Sequence, residues 1–404
     1  MKRSVGRTLA FCTVLGWCAG PAWAGGAGGA ESKAATMPAA ATGADVAQLT
    51  KADEARLLSY VKQNGRDPVG YVVEKLKTHD IVILGESHGS RDILEFLAEL
   101  IPAAYRRAGV RCLATEFMRS RNNGRANKIV TAGVYDQAAV MALYRDFGWV
   151  WGYQEYMDVF KAVWQLNQSL PAGAEKFRIL GLDIPQDPMD ALPGSKNRGE
   201  AVKALRQRDN SMAETFLREI GKSGTKVLVH IGLHHAFARY RQPDIRNGEL
   251  VGLVDPRFGC LLARAYGGKV FQIRLHQWDY AADRGGMGRP RQVLGGLLER
   301  VMAANGNRPV GFDVEGSPFE KLRDPKSYYF ALQPAVVFAD LNQGYVFHRP
   351  LSQMRRCRWA VGFIGESNYD KARKMATVRG WVKPGQYTTP KELDRRFKEI
   401  FEAR

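Results

Sequence analysis

The sequence has few cysteines and no long apolar run. Two of the five cysteines in its 404 residues fall within the first 24 positions, so an odd number remains. Three thiols allow at most one disulfide, which excludes a fold held together by a disulfide framework. The apolar stretch at 8–20 is too short to cross a bilayer comfortably, and we expect no transmembrane anchor. The remaining cysteines are Cys112, Cys260 and Cys357.

The first residues have the pattern of a secretory signal peptide. Lys2, Arg3 and Arg7 form a basic start, and the segment 22–24 reads Ala-Trp-Ala, an A-x-A cleavage site. We expect cleavage after Ala24 and therefore a periplasmic or secreted protein. Residues 25–45 are mostly Gly, Ala, Ser and Thr, a composition typical of a flexible leader.

Acidic residues are scarce relative to basic ones. There are 59 Lys and Arg against 41 Asp and Glu, which gives a formal net charge of +18. The basic residues are dispersed and no nucleic-acid-binding motif accompanies them, so we do not expect a nucleic acid as a partner. The charge either attracts the protein to an anionic cell surface or forms a solvated basic surface.

Residues 46–360 alternate between predicted strands and predicted helices. This alternation is typical of an α/β fold with a central, largely parallel sheet flanked by helices on both faces. We treat 46–360 as one domain and 361–404 as a basic C-terminal tail that contains a helix. A helix is also expected at 250–266 and a mobile glycine-rich loop at 283–291. Strands are predicted at 81–84, 110–117, 176–183, 226–231, 270–275, 309–314, 335–340 and 345–348.

The segment 80–92 is the most informative part of the chain and reads DIVILGESHGSRD. Its apolar run suits a strand buried on both faces, and Gly85 is expected to end the strand in a tight turn. Glu86 and His88 then follow at the carboxyl end of the strand, where open α/β sheets place their ligands. The alternative is that Glu86 caps the next helix and His88 lies on the surface.

Three further predicted strands end in ionisable residues. Glu116 lies at the end of one of them and could instead be a structural acid paired with Arg119 or Arg121. Asp183 ends another and could instead be an N-cap or turn residue. His234 and His235 follow the fourth strand, and we expect His235 to face the site with His234 in support. His230, inside that strand, is expected to be a core histidine. Parallel strands that end at one edge would bring these groups into one cleft.

Two chemistries suit such a cleft. In the first, a histidine polarised by a carboxylate deprotonates water, and a second histidine or Arg91 stabilises the oxyanion. In the second, the histidines and carboxylates bind a divalent metal that activates the water. Thiolate ligands and regular His spacing are missing, so a tight structural zinc site is not expected.

The motif at 83–89, ILGESHG, resembles the GE-x-H signature of the superfamily that joins erythromycin esterases, ChaN-like haem-uptake proteins and Tiki-type metalloproteases. Three later segments resemble that superfamily in order: 114–116 (ATE), 227–236 (VLVHIGLHHA, with His235 as the matching histidine) and the closing region from Ala339. The single residue between Glu86 and His88 is closer to the haem-uptake and metalloprotease branches, since the macrolide esterases are expected to have two.

The resemblance implies three roles for the site. By similarity to the esterases, His88 is the base, Glu86 and Glu116 orient it, and His235 stabilises the intermediate. By similarity to Tiki proteins, Glu86, His88, Glu116 and His235 hold a divalent metal. By similarity to ChaN, an exposed Tyr or His binds haem without catalysis. We therefore expect an exported hydrolase of an ester or amide bond in a small molecule or peptide, with a haem- or iron-binding uptake protein as the alternative.

Overall fold

The architecture is described from a computed structural model, which covers residues 43–191, 195–221, 224–283 and 286–402. The predicted signal peptide and most of the predicted leader therefore lie outside the described residues. Within these ranges no helix is both long enough and apolar enough to cross a membrane.

The chain alternates between strands and helices, as the sequence predicts. The strands are β1 (Ala44–Asp45), β2 (Ile81–Glu86), β3 (Cys112–Arg119), β4 (Arg178–Asp183), β5 (Val227–Gly232), β6 (Pro243–Arg246), β7 (Glu249–Leu253), β8 (Val270–Leu275), β9 (Asp279–Asp283), β10 (Gly286–Arg291), β11 (Val310–Asp313), β12 (Leu322–Arg323) and β13 (Gly344–Phe347). The helices are α1 (Lys51–Asn64), α2 (Pro68–Thr78), α3 (Arg91–Ala108), α4 (Asn123–Thr131), α5 (Gln137–Phe147), α6 (Gln154–Gln168), α7 (Arg198–Arg206), α8 (Arg208–Ile220), α9 (Leu233–Ala236), α10 (Phe258–Tyr266), α11 (Leu297–Ala304), α12 (Phe338–Leu341), α13 (Tyr369–Val378) and α14 (Pro390–Glu402).

Seven of the described strands form a central sheet in the order β11-β13-β8-β2-β5-β3-β4. Every neighbouring pair is parallel except β11 and β13, which are antiparallel. The predicted α/β class is therefore confirmed. β2 lies at the centre of the sheet, with β5 and then β3 beside it, so the strands that contain Glu86, Gly232 and Glu116 are consecutive neighbours.

Both faces of the sheet are covered. Alternate residues of a strand point to opposite faces, and the apolar residues on each face are buried. Ile81 and Ile83 belong to one apolar cluster with Phe216 of α8 and Phe258 of α10. Val82 and Leu84 point to the other face and are also fully buried. This two-sided burial is the reason that β2 is an uninterrupted apolar run.

The residues fall into two compact units. Residues 186–191 and 195–208 belong to the smaller unit, which contains a 3-10 helix at Pro188–Ala191 and also α7. Residues 43–185 and 209–402, apart from the gaps given above, belong to the larger unit. All the site residues discussed below lie in the larger unit.

Gly85 does not form the predicted turn but allows a helix to pack closely against β2. β2 continues through it to Glu86, and the turn comes later, at Gly89, whose φ is 76°. A Cβ atom at Gly85 would lie 2.9 Å from Cβ of Ala236. Glycine is required here because α9 packs directly against the strand, and the strand therefore delivers Glu86 as its last residue.

Three local predictions are wrong. The helix expected at 250–266 begins only at Phe258, and residues 250–253 belong instead to β7, which pairs with β6 in an antiparallel hairpin. Residues 286–291, expected to be part of a mobile loop, form β10, paired with β9. Residues 338–340, at the end of the strand expected at 335–340, belong instead to α12. All three segments are short, and a short apolar run does not by itself distinguish a strand from a helix. In the two hairpins, the pairing partner decides the structure.

The three remaining cysteines, Cys112, Cys260 and Cys357, are all buried free thiols. Cys112 lies in β3 within the apolar core. Burial raises the pKa of the Cys112 thiol to about 12, so this cysteine is an inert core residue.

Candidate functional site

The carboxyl ends of β2, β3 and β5 bring four ionisable side chains together. His88 Nε2 lies 3.7 Å from Glu116 Oε1, and His235 Nε2 lies 3.9 Å from Glu116 Oε2. Glu86 contacts His88 directly, with 2.9 Å between Oε1 and Nδ1. The four residues singled out in the sequence thus form one cluster.

Glu86 is the centre of a buried hydrogen-bond network. The Tyr156 hydroxyl, from α6, donates to Oε1 at 2.5 Å, and the ring of His230 contacts Oε2 through Nε2 at 2.6 Å. With His88, three donors surround one carboxylate. A carboxylate that accepts three hydrogen bonds is a poor base, and it is better suited to hold the His88 ring in place.

The ionisation of Glu86 fixes the tautomer of His88. Burial raises the pKa of the Glu86 carboxyl, but the charges and hydrogen bonds of His230 and His88 outweigh burial and lower it to about 2. An ionised carboxylate can only accept, so Nδ1 of His88 must donate. In the neutral ring, Nε2 then carries the lone pair, and this atom faces Glu116.

A second histidine–carboxylate pair lies across the cluster. His235 Nδ1 lies 2.6 Å from Oδ1 of Asp209, a residue of α8. Burial opposes ionisation of Asp209, yet His235, Arg257 and the Phe258 amide hold the pKa of that carboxyl well below its ordinary value. His235 therefore also donates through Nδ1 and turns Nε2 toward Glu116.

The two pairs are arranged on either side of Glu116. The side chains involved are almost inaccessible: 9% of His88, 1% of Glu116 and 3% of His235 is exposed. At 3.7 and 3.9 Å, the imidazole nitrogens are outside ordinary hydrogen-bond range of the carboxylate oxygens. Both Nε2 atoms therefore face the same buried carboxylate, one toward each of its oxygens.

The sequence also predicts a metal at this cluster. Among the residues in the described ranges, no group of three or more His, Cys, Asp or Glu side chains is found that could hold a metal ion. Glu86, a predicted ligand, directs its oxygens to His88, His230 and Tyr156. No step below depends on a metal.

Aromatic rings form a wall around His88. The His88 ring lies 5.4 Å from that of Trp151 and 5.3 Å from that of Phe117, both edge to face. Phe117 also contacts Tyr156, with 4.8 Å between ring centroids. The aromatic stretch 147–153 therefore contributes Trp151 to the surroundings of His88.

Gly232 leaves room for the His88 ring. A Cβ atom at this position would lie 2.7 Å from Cε1 of His88 and 3.4 Å from Oε1 of Glu116. Glycine is therefore needed at the end of β5 because a larger residue would displace the His88 ring.

The three residues expected to support the site point elsewhere. Arg91 pairs with Glu95 on its own helix, at 2.7 Å. Asp183 lies at the end of β4, with Oδ2 3.9 Å from the Arg119 guanidinium. His234 Nε2 contacts the Tyr329 hydroxyl at 2.8 Å.

Burial and the nearby charge of Arg257 lower the pKa of His234 to about 3, so this ring is neutral at neutral pH. Of the two adjacent histidines, His235 is the one that lies beside Glu116.

Sequence reasoning missed Tyr156, Asp209 and the role of His230. A histidine between valine and isoleucine in a buried strand is costly without a partner, so His230 could have been paired with a strand-end acid. Tyr156 and Asp209 come from helices far away in sequence, and nothing local in α6 or α8 marks them.

Comparison with known proteins identifies no family for this chain. No family model and no curated protein matches the chain. Solved structures with a similar backbone include a Bacillus cereus protein. The two proteins share 11% identity and have a TM-score of 0.49 over 72% of this chain and 96% of that one. An erythromycin esterase variant in its open conformation has 11% identity and a TM-score of 0.45 over 68% and 91% of the two chains. ChaN of Campylobacter jejuni, described with cofacial haem binding, has 14% identity and a TM-score of 0.33 over 51% and 85%. At these scores, none of the three determines the activity of this chain.

Proposed function

We propose that this protein is an exported hydrolase of an ester or amide bond, with His88 as the general base. The observation that carries the proposal is the placement of two carboxylate-bound imidazoles on either side of Glu116. Each histidine has Nδ1 on an acid, Glu86 or Asp209, and turns Nε2 toward the same point.

The reaction begins with a water molecule held between Glu116 and His88. Water passes a proton to Nε2 of His88 while its oxygen bonds to the carbonyl carbon. The protonated His235 ring, stabilised by Asp209, donates a hydrogen bond to the oxyanion. His88 then returns the proton to the leaving oxygen or nitrogen as the bond to carbon breaks, which yields the acid and the alcohol or amine.

Glu86 positions His88 and stabilises the imidazolium that forms. With a pKa of about 2, its carboxylate stays ionised throughout the working pH range. Tyr156 and His230 hold it in place, so the imidazole keeps one tautomer and one orientation. A positioned base of this kind contributes about 10²- to 10⁴-fold to a rate.

The buried cluster suits a small reacting group better than a haem. The His88, Glu116 and His235 side chains are only 9%, 1% and 3% exposed, and a haem is far larger than a single ester or amide group.

The test is hydrolysis of p-nitrophenyl esters and N-acyl p-nitroanilides by the purified protein and its Glu116→Gln and His235→Ala variants. We expect turnover by the wild type and a large loss in both variants. Wild-type rates in both variants would contradict the proposal. So would a stoichiometric Soret band on haem titration that is lost in the same variants, since that result identifies the cluster as a haem site.

A further inference from the structure

The C-terminal segment is bonded to both loops that border His88. Residues 355–360, here called the strap, run antiparallel to the turn after His88: the Cys357 amide donates to Gly89 O and the Arg91 amide donates to Arg355 O, both at 2.9 Å. Ser90 and Arg356 form a β-bridge between these bonds. The strap therefore fixes the backbone immediately after the proposed base.

The same strap fixes the loop that carries Trp151. The Gln154 amide donates to Arg358 O at 2.9 Å, and the Ala360 amide donates to Gly152 O at 2.7 Å. A Cβ atom at Gly152 would lie 2.7 Å from the Trp359 ring, so this side chain packs directly on the loop backbone. Trp151, next in the chain, is the residue whose ring lies 5.4 Å from His88.

One carboxylate attaches the strap to α14. Asp394 is 7% exposed and accepts three hydrogen bonds: from Trp359 Nε1 at 2.9 Å and from the amides of Gly362 and Ile364 at 2.7 and 2.8 Å. Trp359 also stacks on Phe401 of the same helix, with 5.1 Å between centroids and 5° between planes.

We infer that Asp394 is a positioning residue for the site, acting through Trp359 and the strap on the loops that hold His88 and Trp151. The proposed catalytic cluster itself lies on the carboxyl ends of the central strands. Two neighbouring segments, the turn at Gly89 and the loop at 148–153, are joined to each other through the strap. The C-terminal helix thus controls the geometry of the wall above the base without contacting a reactant.

The inference rests on the proposed function for its catalytic readout, so the test adds two readouts that need no turnover. These are the hydrogen-exchange rates of the Arg91 and Gln154 amides, which donate to the strap, and the NMR signal of the His88 Nδ1 proton that is bonded to Glu86. The variants are Asp394→Asn and Trp359→Phe in the full chain. Trp359→Phe keeps an aromatic ring and removes the donor to Asp394, and it replaces Asp394→Asn if the latter does not fold.

Leu393→Ala is the matched control. Leu393 is fully buried in the same helix, but its side chain has no hydrogen-bonding group. The Leu393→Ala variant therefore shows the effect of destabilising α14 while the hydrogen bonds to Asp394 remain.

We expect Asp394→Asn and Trp359→Phe to speed exchange at Arg91 and Gln154 by about tenfold or more, as for a lost hydrogen bond to a carboxylate. The His88 proton signal should shift or broaden, and kcat should fall more than KM changes. Leu393→Ala should speed exchange evenly along α14 and leave the His88 signal unchanged. Equal exchange at Arg91 and Gln154 in all variants, or a His88 signal unchanged by Asp394→Asn, would overturn the inference. Absence of turnover in the wild type would overturn the proposed function but would leave these two readouts valid.

Discussion

His88 works, in our account, because its neighbours leave it one tautomer and one orientation. Glu86 engages Nδ1, and Gly232 leaves space beside Cε1. Neither contact involves a reactant, yet each determines where Nε2 points. Substitutions that keep the polar groups but move the ring should therefore reduce turnover without unfolding the protein.

Gly232→Ala tests the steric part of this account. The new methyl would lie 2.7 Å from Cε1 of His88, so the ring must move. We expect kcat to fall about 100-fold, the loss typical of a displacement near 1 Å in a reacting group. The measurement is steady-state hydrolysis of the best ester. Gly124→Ala is the control, because a Cβ atom there meets nothing within 4 Å; an equal loss in both variants would contradict the steric argument.

Tyr156→Phe tests the anchoring of Glu86. The change removes the hydroxyl that donates to Oε1 of Glu86 and accepts from the Gly89 amide. A hydrogen bond to a charged group contributes about 1.5–3 kcal/mol, so we expect kcat to fall about 10- to 100-fold. Tyr144→Phe is the matched control, since that hydroxyl donates to the Tyr156 carbonyl and not to Glu86. Comparable kinetics for the two variants would show that Tyr156 does not position Glu86.

At the scale of elements, the sequence predicted the strands that carry the site better than the segments around it. β2, β3, β5 and β8 have apolar runs that only a buried strand explains, and their order in a parallel sheet brings Glu86, Glu116 and His235 together. The sequences of the hairpins β6–β7 and β9–β10 contain no comparable apolar run. Their pairing depends on contacts that a local pattern does not contain.

Asp209 and Tyr156 were unpredictable for a related reason. Each sits on an amphipathic helix, where a polar residue is ordinarily solvated. Their function arises only because α8 and α6 pack on opposite sides of the strand ends, so the partner of each lies far away in sequence. Asp394, proposed above as a positioning residue, is similar: α14 was predicted, but its attachment to the strap was not.

At the scale of the whole molecule, buried histidines should make the fold sensitive to acid. Burial lowers the pKa values of His234 and His348 to about 3, from an ordinary value near 6.5. Below about pH 6.5 the unfolded chain therefore binds protons that the folded chain does not. Stability attributable to these rings is fully present above that pH and is lost as the pH falls toward about 3.

His348→Phe tests this dependence and retains a ring beside Phe96, which lies 4.7 Å from His348. Urea midpoints of wild type and variant should run parallel between pH 7.5 and 9, which serves as the internal control. Between pH 6.5 and 4 the wild type should lose more stability than the variant. Equal losses over the lower range would show that His348 does not titrate with a lowered pKa.

The most direct test of the central claim is the turnover of His88→Ala against that of His79→Ala. His79 precedes β2 and contacts Thr78 and Lys75, at the opposite end of the strand from the cluster, so it controls for loss of a histidine beside the same strand. We predict that His88→Ala loses about 10²- to 10⁴-fold in kcat on the best ester or amide and keeps its fold, while His79→Ala keeps wild-type turnover. Full activity in a folded His88→Ala variant would contradict the account.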